Sequence, residues 1–368
     1  MDSKKIIAVA AVAIIAIAAC AVIFTNGDDD SDSKTMVDAA GNQIKKLNGV
    51  DSITGCSSSI VDTICYMGYG DKLVGVVSYC NNPLIPADVK ICGSYYSPDT
   101  DAISTVNADV SFLDNSGSGS KAAYDTLKAS GMNVVLTFGS DDGYEGIYKN
   151  IEIFGYIFGC EDKADDLIDE MRGSVEDISE NTKSASPTKV IITTGLGSLW
   201  GVDENGNFDS ISSFDGSGVY AAGVESTASE LISKVAKINN PVGGNSWSPL
   251  DTDYISTQTS DVEVILVTWG DSAPNADAHA KLIEQMKKTA WANCAAVQNG
   301  NIIFVCEKAN DDISRTTPYT VFNSLPVMSL YMNPECYKAP SGETLTLDDL
   351  PYFIDNSNYE ILKGYTEN

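Results

Sequence analysis

An acidic motif that occurs twice is the feature of this chain that most constrains its fold. The first copy runs from Ser97 to Val110 and reads SPDTDAISTVNADV, and the second runs from Ser248 to Val262 and reads SPLDTDYISTQTSDV. If Leu250 is taken as a one-residue insertion, the aspartates, the isoleucine and the final valine of the two copies align. The copies lie much farther apart than the roughly 20–50 residues of a solenoid period. The repeat therefore predicts two lobes of similar build.

The length and composition of the chain also favour two lobes. At 368 residues, the chain is longer than one typical hydrophobic core fills. Its hydrophobic content of 43% is that of a globular protein. The formal net charge of -28 excludes a nucleic-acid-binding surface, because such a surface needs a basic stripe. The acidity by itself indicates a well-solvated surface.

The N-terminal segment predicts attachment to a membrane. Lys4 and Lys5 precede an apolar run over 6–24, and acidic residues follow the run. At ~1.5 Å per residue the run is roughly 28 Å long, which is enough to cross a bilayer, and the lysines place its start inside the cell. Alternatively, the sequence IAAC ending at Cys20 resembles a lipoprotein processing box, in which Cys20 is acylated. Both a retained helix within 1–24 and a lipidated Cys20 place the body on the outer face of the cytoplasmic membrane.

Alternating strand and helix patterns set the predicted domain boundaries. A polar, acidic tether over 25–35 precedes an N-terminal lobe over 36–160, in which the alternation predicts a largely parallel sheet flanked by helices. An uninterrupted amphipathic helix dominates a linking segment over 161–186. The alternation resumes in a C-terminal lobe over 187–340, and a C-terminal extension occupies 341–368. The predicted fold is an α/β protein with two lobes, one long rigid joining helix and a ligand cleft between the lobes.

Several segments resemble, in their order along the chain, one family of proteins. They are a serine-rich helix start at 57–60, a Gly-x-x-Asp-x-Leu-Val-Gly turn at 68–75, the sequence YCNNP at 79–83, the acidic helix start and strand at 101–113, its second copy at 253–267, a closing strand at 300–305 and a terminal helix within 315–334. Together they resemble the ABC-transporter substrate-binding proteins for iron-siderophores, haem and cobalamin, the third class of periplasmic binding proteins. The resemblance covers about Val37 to Tyr337.

The resemblance implies a function and partners. It implies an extracytoplasmic protein that captures an iron chelate (a siderophore or haem) or a corrinoid and delivers it to the permease and ATPase subunits of an ABC importer. It implies no enzymatic activity and no cofactor. Two alternatives stay open, namely a chelatase-like metal or cofactor enzyme on the same fold and a surface interaction protein without a transport role. With two arginines in the chain, a neutral or weakly charged ligand fits best.

The repeated aspartates have two interpretations. In the family, one acidic residue on each lobe meets arginines of the permease, and Asp101 and Asp253 occupy the matching positions, although glutamate is usual there. A carboxylate at a helix start also acts as a cap. Because each copy carries two acids, we assign permease docking to Asp101 and Asp253, and capping to Asp99 and Asp251 or to their neighbouring threonines.

Candidate ligand-binding residues come from two arguments. The resemblance implies Trp247, Asp311 and Arg315, with a surface salt bridge as the alternative for Arg315. Strand-to-loop turns, where ligands bind in sheets of this kind, add four aromatic residues for which ordinary packing is the alternative. These four are Tyr95, Tyr96, Trp200 and Trp269. A segment rich in glycine, serine and aspartate over 201–223 is predicted as an insertion beside the ligand.

Signals for a resident metal or for catalysis are weak. His279 is the only histidine, and we predict it on a helix surface, so a metal site built on several imidazoles is excluded within one chain. The sequence lacks a HExxH motif and a P-loop. The cysteines show no CxxC spacing, and Cys80 and Cys92 are the candidate disulfide, with scattered buried thiols as the alternative.

Membrane attachment is directly testable. We expect the full chain to partition with membranes when it is expressed in its host, because the apolar run and Cys20 each provide an anchor. A variant that starts at Met36 is expected to stay in the soluble fraction as a monomer. Fractionation by ultracentrifugation checks both expectations, and a full chain found wholly in the soluble fraction would contradict them.

Overall fold

A computed structural model describes residues 35–139, 142–194, 218–269 and 272–366. The contacts divide the chain between Thr35 and Met36, and both lobes belong to the second unit. The apolar run with Cys20, residue Trp200 and most of the 201–223 segment lie outside the described residues. Within the described ranges, no helix has the length and apolar character that a membrane span needs.

A five-stranded parallel sheet forms the centre of the N-terminal lobe, as the alternation predicted. The strand order is β3-β2-β1-β6-β7, and β4 and β5 form a separate antiparallel hairpin. The strands are β1 (Ile53–Gly55), β2 (Leu73–Val76), β3 (Lys90–Ile91), β4 (Gly93–Ser94), β5 (Ser97–Pro98), β6 (Val110–Asp114) and β7 (Val134–Thr137). The helices are α1 (Ser58–Tyr66), α2 (Thr100–Val106), α3 (Ser120–Ala129) and α4 (Gly143–Phe158), with a short 3-10 turn at Gly70–Lys72.

Helices cover both faces of this sheet because successive residues of a strand point to opposite sides. On β6, Phe112 packs with Val61 and Phe154, which come from α1 and α4. The next residue, Leu113, packs with Tyr124 of α3 on the opposite face. The loops after the carboxyl ends of β1, β2, β6 and β7 are thereby left at one edge of the lobe.

A larger mixed sheet forms the centre of the C-terminal lobe. Its order is β11-β9-β8-β12-β13-β14, in which β9 and β11 are antiparallel, and β10 pairs with β8. The strands are β8 (Thr188–Thr194), β9 (Tyr220–Ala222), β10 (Ile238–Asn239), β11 (Trp247–Pro249), β12 (Val264–Thr268), β13 (Ile302–Val305) and β14 (Phe353–Ile354). The helical segments after β8 are α6 (Thr227–Val235), α7 (Thr252–Gln258), α8 (Ala276–Met286), α9 (Ala295–Asn299), α10 (Glu307–Ser314), α11 (Leu325–Met332) and α12 (Tyr359–Gly364), with shorter turns at Ala290–Asn293, Thr320–Ser324, Pro334–Cys336 and Leu347–Asp349.

The segment predicted as a C-terminal extension packs into this lobe. Its strand β14 pairs in parallel with β13, and Tyr359 and Leu362 of α12 are buried in the core.

The packing of the C-terminal segment corrects the prediction that His279 lies on a helix surface. The His279 ring is buried and stacks on Tyr352, with centroids 3.9 Å apart. Its Nε2 forms a hydrogen bond of 3.0 Å with the carbonyl oxygen of Ile302. A helix position that looked exposed is thus covered by the end of the chain.

The candidate disulfide is also corrected. None of the eight cysteines within the described ranges forms a disulfide. Cys80 Sγ lies 3.7 Å from Ser58 Oγ, whereas Cys92 Sγ points to the carbonyl of Lys90 at 3.8 Å. The two thiols therefore have different neighbours, although both side chains pack in the same hydrophobic cluster.

One helix, α5 (Glu161–Thr182), carries the chain from the first sheet to the second. Its apolar stripe, which includes Ile168 and Met171, packs against Tyr144 and Ile151 of α4 and against Leu231 of α6. Across the same joint, Tyr144 Oη donates to the carbonyl oxygen of Leu231 at 2.9 Å. Side chains of both lobes thus share one hydrophobic cluster around the linking helix.

Arg315 joins the lobes by charge. Its Nη1 donates to Asp62 Oδ2 at 2.7 Å, across the gap between the C-terminal lobe and α1. Its Nη2 donates to Asn81 at 3.0 Å and to Asp311 at 2.9 Å, and Asn81 in turn donates to Asp311 at 2.8 Å. The side chains of Arg315 and Asp62 are only 15% and 8% exposed. The alternative considered for Arg315, a salt bridge, is present in the structure, but the pair with Asp62 is largely buried between the lobes and does not lie at the surface.

The buried imidazole predicts a pH dependence of stability. Burial lowers the pKa of His279, so the folded protein binds a proton less readily than the unfolded chain. The free energy of unfolding should therefore fall as the pH drops below the unfolded value of ~6.5, by at most about 1.4 kcal/mol per pH unit. His279→Gln should lose this contribution. Urea titrations of both proteins between neutral and mildly acidic pH measure the difference, and parallel pH profiles would contradict the assignment.

Loss of the Arg315 guanidinium should destabilise the joint. Arg315→Met leaves the Asp62 carboxylate buried without its cation, and we expect a loss of about 3 kcal/mol in the free energy of unfolding. Arg315→Met combined with Asp62→Leu should recover a large part of this loss. Arg172→Met is the matched control, since Arg172 is exposed and lies over the Tyr148 ring, and it should cost about 1 kcal/mol or less. If urea denaturation shows that the stability changes of Arg315→Met and Asp62→Leu simply add in the double variant, this account is contradicted.

Candidate functional site

A cavity of about 620 Å³ opens in the C-terminal lobe where β8 and β12 end. Thr194 and Thr268, the last residues of these strands, border it, together with Ser226, which caps α6. Ser314, the last residue of α10, and Thr316, which follows that helix, also border it. Ligands bind at the carboxyl ends of strands in open α/β sheets, and the volume lies within the usual range for ligand pockets. The position therefore suits a small-molecule site.

Trp247 borders this cavity, where the sequence placed it as a ligand residue. It begins β11 and lies opposite Ala222 of β9 in an antiparallel pair. The strand pairing fixes its backbone, while 38% of the residue remains exposed. A fixed, partly exposed indole is the kind of side chain that anchors a ligand.

A second cavity, of about 500 Å³, lies between the lobes. The N-terminal lobe supplies Asp62 and the loop over 81–83, and the C-terminal lobe supplies Asp311, Arg315 and Tyr319. Arg315 borders this cavity and its chain neighbour Thr316 borders the first one, so one segment contributes to the lining of both cavities. The residues that meet here come from both lobes, which establishes a cleft between them.

The charged groups of the second cavity are mutually engaged. Asp311 and Arg315, both predicted to contact ligand, hydrogen-bond each other as described above. Burial raises the pKa of the Asp312 carboxyl, and the hydrogen bond from Lys308 Nζ at 2.9 Å opposes that rise. Burial likewise raises the pKa of the Tyr319 hydroxyl. The arrangement holds the lobes together more than it offers free donors for a ligand.

Tyr79 is a candidate that the sequence argument did not select. It follows the carboxyl end of β2, is 89% exposed and has a φ of 70°. A bulky side chain in this left-handed region costs of order 1–3 kcal/mol, and such strain is concentrated at functional sites. The available signal was the position of Tyr79 as the first residue of YCNNP, the segment that carried the family resemblance.

Tyr95 and Tyr96 form the turn between β4 and β5 and lie near Tyr79. Their rings meet edge to face with centroids 4.9 Å apart, and Tyr96 is 70% exposed. The amide of Ser78 donates to the carbonyl oxygen of Gly93 at 2.9 Å, which ties the strand end that carries Tyr79 to this hairpin. A methyl group on Gly119 would approach the Tyr96 carbonyl oxygen to 2.5 Å, so the loop below the turn is closely packed. The three tyrosines therefore belong to one edge of the N-terminal lobe.

Trp269 is not a cleft residue, which corrects its prediction. Its side chain is buried in the core of the C-terminal lobe, edge-on to Phe304 with centroids 5.8 Å apart. Its indole Nε1 donates to the carbonyl oxygen of Ser272 at 3.2 Å. Ordinary packing, the alternative considered for each aromatic residue, applies here. Trp200 lies outside the described residues.

Two of the repeated aspartates, Asp99 and Asp251, cap helices α2 and α7, as the sequence predicted. Asp99 Oδ1 accepts hydrogen bonds from the amides of Asp101 and Ala102 at 3.0 Å, and Asp251 Oδ1 accepts one from Tyr254 at 2.7 Å. Capping by Asp99 and Asp251 is thus confirmed. Asp101 and Asp253 are exposed in the first turns of α2 and α7 and take no part in these cap hydrogen bonds through their carboxylates.

Known proteins resemble the chain in sequence and in structure. The chain is 24% identical over 288 residues to YvrC of Bacillus subtilis, an uncharacterized ABC transporter substrate-binding lipoprotein, and the match covers 75% of this chain and 82% of that protein. A periplasmic haem-binding protein from Pseudomonas aeruginosa superposes with a TM-score of 0.58 at 14% identity, covering 81% of this chain and 96% of that one. The vitamin B12-binding protein BtuF of Vibrio cholerae superposes with a TM-score of 0.55 at 17% identity, covering 77% and 96%.

At such identities the structural matches establish the two-lobed fold and leave the ligand open. The sequence profile of one family, described as periplasmic binding protein, matches residues 53–309. This stretch includes the loop over 81–83 and Trp247, and it ends before Asp311 and Arg315. The chain therefore belongs to the periplasmic binding protein family, whose members serve as solute-binding components of ABC transporters.

Proposed function

We propose that the chain is the extracytoplasmic substrate-binding component of an ABC importer and that it binds an iron chelate or a corrinoid in the cleft. The observation that carries the proposal is Trp247, a partly exposed indole that borders the cavity where β8 and β12 end, together with the exposed rings of Tyr79 and Tyr96 at one edge of the N-terminal lobe. Flat apolar rings suit the faces of a macrocycle or a metal chelate. Two of the similar proteins are named for binding haem and vitamin B12, which supports this class.

The proposed partners are a membrane permease and its ATPase, and the proposed attachment is the N-terminal anchor or a lipidated Cys20. The similarity to a substrate-binding lipoprotein supports attachment at the outer face. Arg315 and Asp311, in this proposal, act chiefly by setting the distance between the lobes. The chelatase-like alternative gains nothing from the structure, because the single histidine of the sequence is buried beneath Tyr352.

A thermal-shift screen of the full chain in detergent tests the proposal. The probes are a ferric siderophore, haem and cobalamin. A ligand that binds only the folded state stabilises it by about 2.7 kcal/mol at a concentration ~100 times its Kd. Stabilisation by one of the probes supports the proposal, and unchanged melting with all of them at high concentration counts against it.

Substitutions of Trp247 and Tyr79 should affect ligand affinity and the free energy of unfolding in different ways. Trp247→Ala should weaken binding of the stabilising probe by about 2 kcal/mol or more, since buried anchors at binding sites carry that much. Tyr79→Gly should also weaken binding, yet raise the free energy of unfolding by roughly 1 kcal/mol, because glycine accepts the positive φ without strain. Calorimetry and urea titration measure the two effects. A Tyr79→Gly variant that is less stable and binds normally would remove Tyr79 from the site.

The docking role of the exposed aspartates predicts a transport defect without a binding defect. Asp101→Arg with Asp253→Arg should leave ligand affinity intact and abolish uptake in reconstituted membranes, because like charges would then meet across the permease interface. Asp165→Arg with Asp177→Arg, two exposed positions on α5, is the matched control and should retain uptake. If the Asp101→Arg, Asp253→Arg variant takes up ligand at the wild-type rate, these two acids have no docking role and only stabilise the first turns of their helices.

A further inference from the structure

We infer that the cleft selects metal chelates that carry no net negative charge, and that its carboxylates discriminate against anionic chelates. The inference deepens the proposed function and rests on it. The ligand class it names is an uncharged chelate with a polar, amide-like periphery, such as a ferric trihydroxamate or a corrinoid with amide side chains.

The charges around the cavity between the lobes are predominantly negative. Four carboxylates and two cations are among its described lining residues, and each cation is committed to a carboxylate. The carboxylates are Asp62, Glu307, Asp311 and Asp312, and the cations are Lys308 and Arg315. Arg315 is held by Asp62 and Asp311, and Lys308 by Asp312. An anionic ligand would therefore have to break existing ion pairs to gain a cation.

The cavity at the ends of β8 and β12 adds a further negative charge. Glu225 is the one charged residue among its described lining, and it is exposed. The remaining polar lining consists of neutral hydroxyl and amide side chains, which include Thr194, Asn245 and Ser246. Neutral donors and acceptors of this kind suit the amides of an uncharged ligand and supply no counter-charge for an anion.

The internal segments between the described ranges contain no cation that could change this balance. Residues 140–141, 195–217 and 270–271 contain acidic residues and neither lysine nor arginine. No side chain in these segments can therefore supply the missing cation, whatever its position.

The charge of candidate ligands follows from their donor groups. Three hydroxamates, each with a single negative charge, neutralise Fe(III), whereas three catecholates, each with two, leave the complex strongly anionic. A corrinoid whose side chains are amides has a neutral periphery, whereas haem carries two propionates. Carboxylates in the cleft repel the anionic members of each pair, and they leave the uncharged members unaffected.

A titration of the full chain in detergent tests the inference, with quenching of intrinsic tryptophan fluorescence as the readout. The probes are a neutral ferric trihydroxamate, an amide-bearing corrinoid, a ferric tricatecholate and haem. We expect one of the two neutral probes to bind at least ~10-fold more tightly than either anionic probe. Comparison of the two neutral probes identifies which of the two chelate chemistries is the ligand.

Charge variants assign the discrimination to the cleft. Glu225→Gln should lower the ratio of the affinity for the neutral probe to the affinity for the anionic probes by about 5-fold, while the exposed Glu176→Gln on α5 should leave this ratio unchanged. Higher salt should narrow the difference between the probes in the wild type. Absence of any effect of Glu225→Gln, with the preference intact, would overturn the assignment to the carboxylates.

Two other results separate this inference from the proposed function. If an anionic probe binds as tightly as the neutral probes or more tightly, the charge selection is overturned while chelate binding stands. If none of the four probes binds, the proposed function fails, and the inference fails with it.

Discussion

The ion pair between Arg315 and Asp62 is the interaction on which the geometry of the cleft depends. It spans the lobes at 2.7 Å, at the side where the loops after β2 and β13 meet. At the back of the joint, the apolar stripe of α5 is shared by helices of both lobes. A polar attachment on one side and a hydrophobic one on the other hold the carboxyl ends of both sheets facing a common space. The cavity that Asp62 and Arg315 border lies in that space.

The same attachment explains why the cleft offers so little free positive charge. The chain has a net charge of -28 and two arginines, and the arginine in the cleft, Arg315, forms the ion pair that joins the lobes. The described lining of the cavity where β8 and β12 end offers a ligand the Trp247 indole, hydroxyls and amides, with Glu225 as its one charged side chain. Tyr79 adds a strained backbone, which indicates that an exposed ring has been retained there against a local conformational cost. The fold and the chemistry of the site thus point to recognition by shape and by neutral polar contacts.

Much of the fold could be predicted from the sequence, because periodicity and repeats report local structure. The alternation predicted the parallel sheet of the N-terminal lobe, and the apolar stripe predicted α5. The repeat predicted the capping by Asp99 and Asp251. Burial by distant segments could not be predicted: His279 is covered by Tyr352, and Trp269 packs on Phe304, through contacts that no local pattern encodes. For the same reason the partners of Arg315 and the positive φ of Tyr79 emerged only from the structure.

Hydrogen–deuterium exchange of the full chain, with and without a saturating neutral ferric trihydroxamate or corrinoid, tests the central claim that a ligand occupies the cleft between the lobes. The account predicts slower exchange in peptides over 79–96, 245–249 and 313–316, which come from both lobes. It predicts little change in α5, whose stripe is already packed. Protection confined to one lobe, or located away from these three segments, would contradict the account.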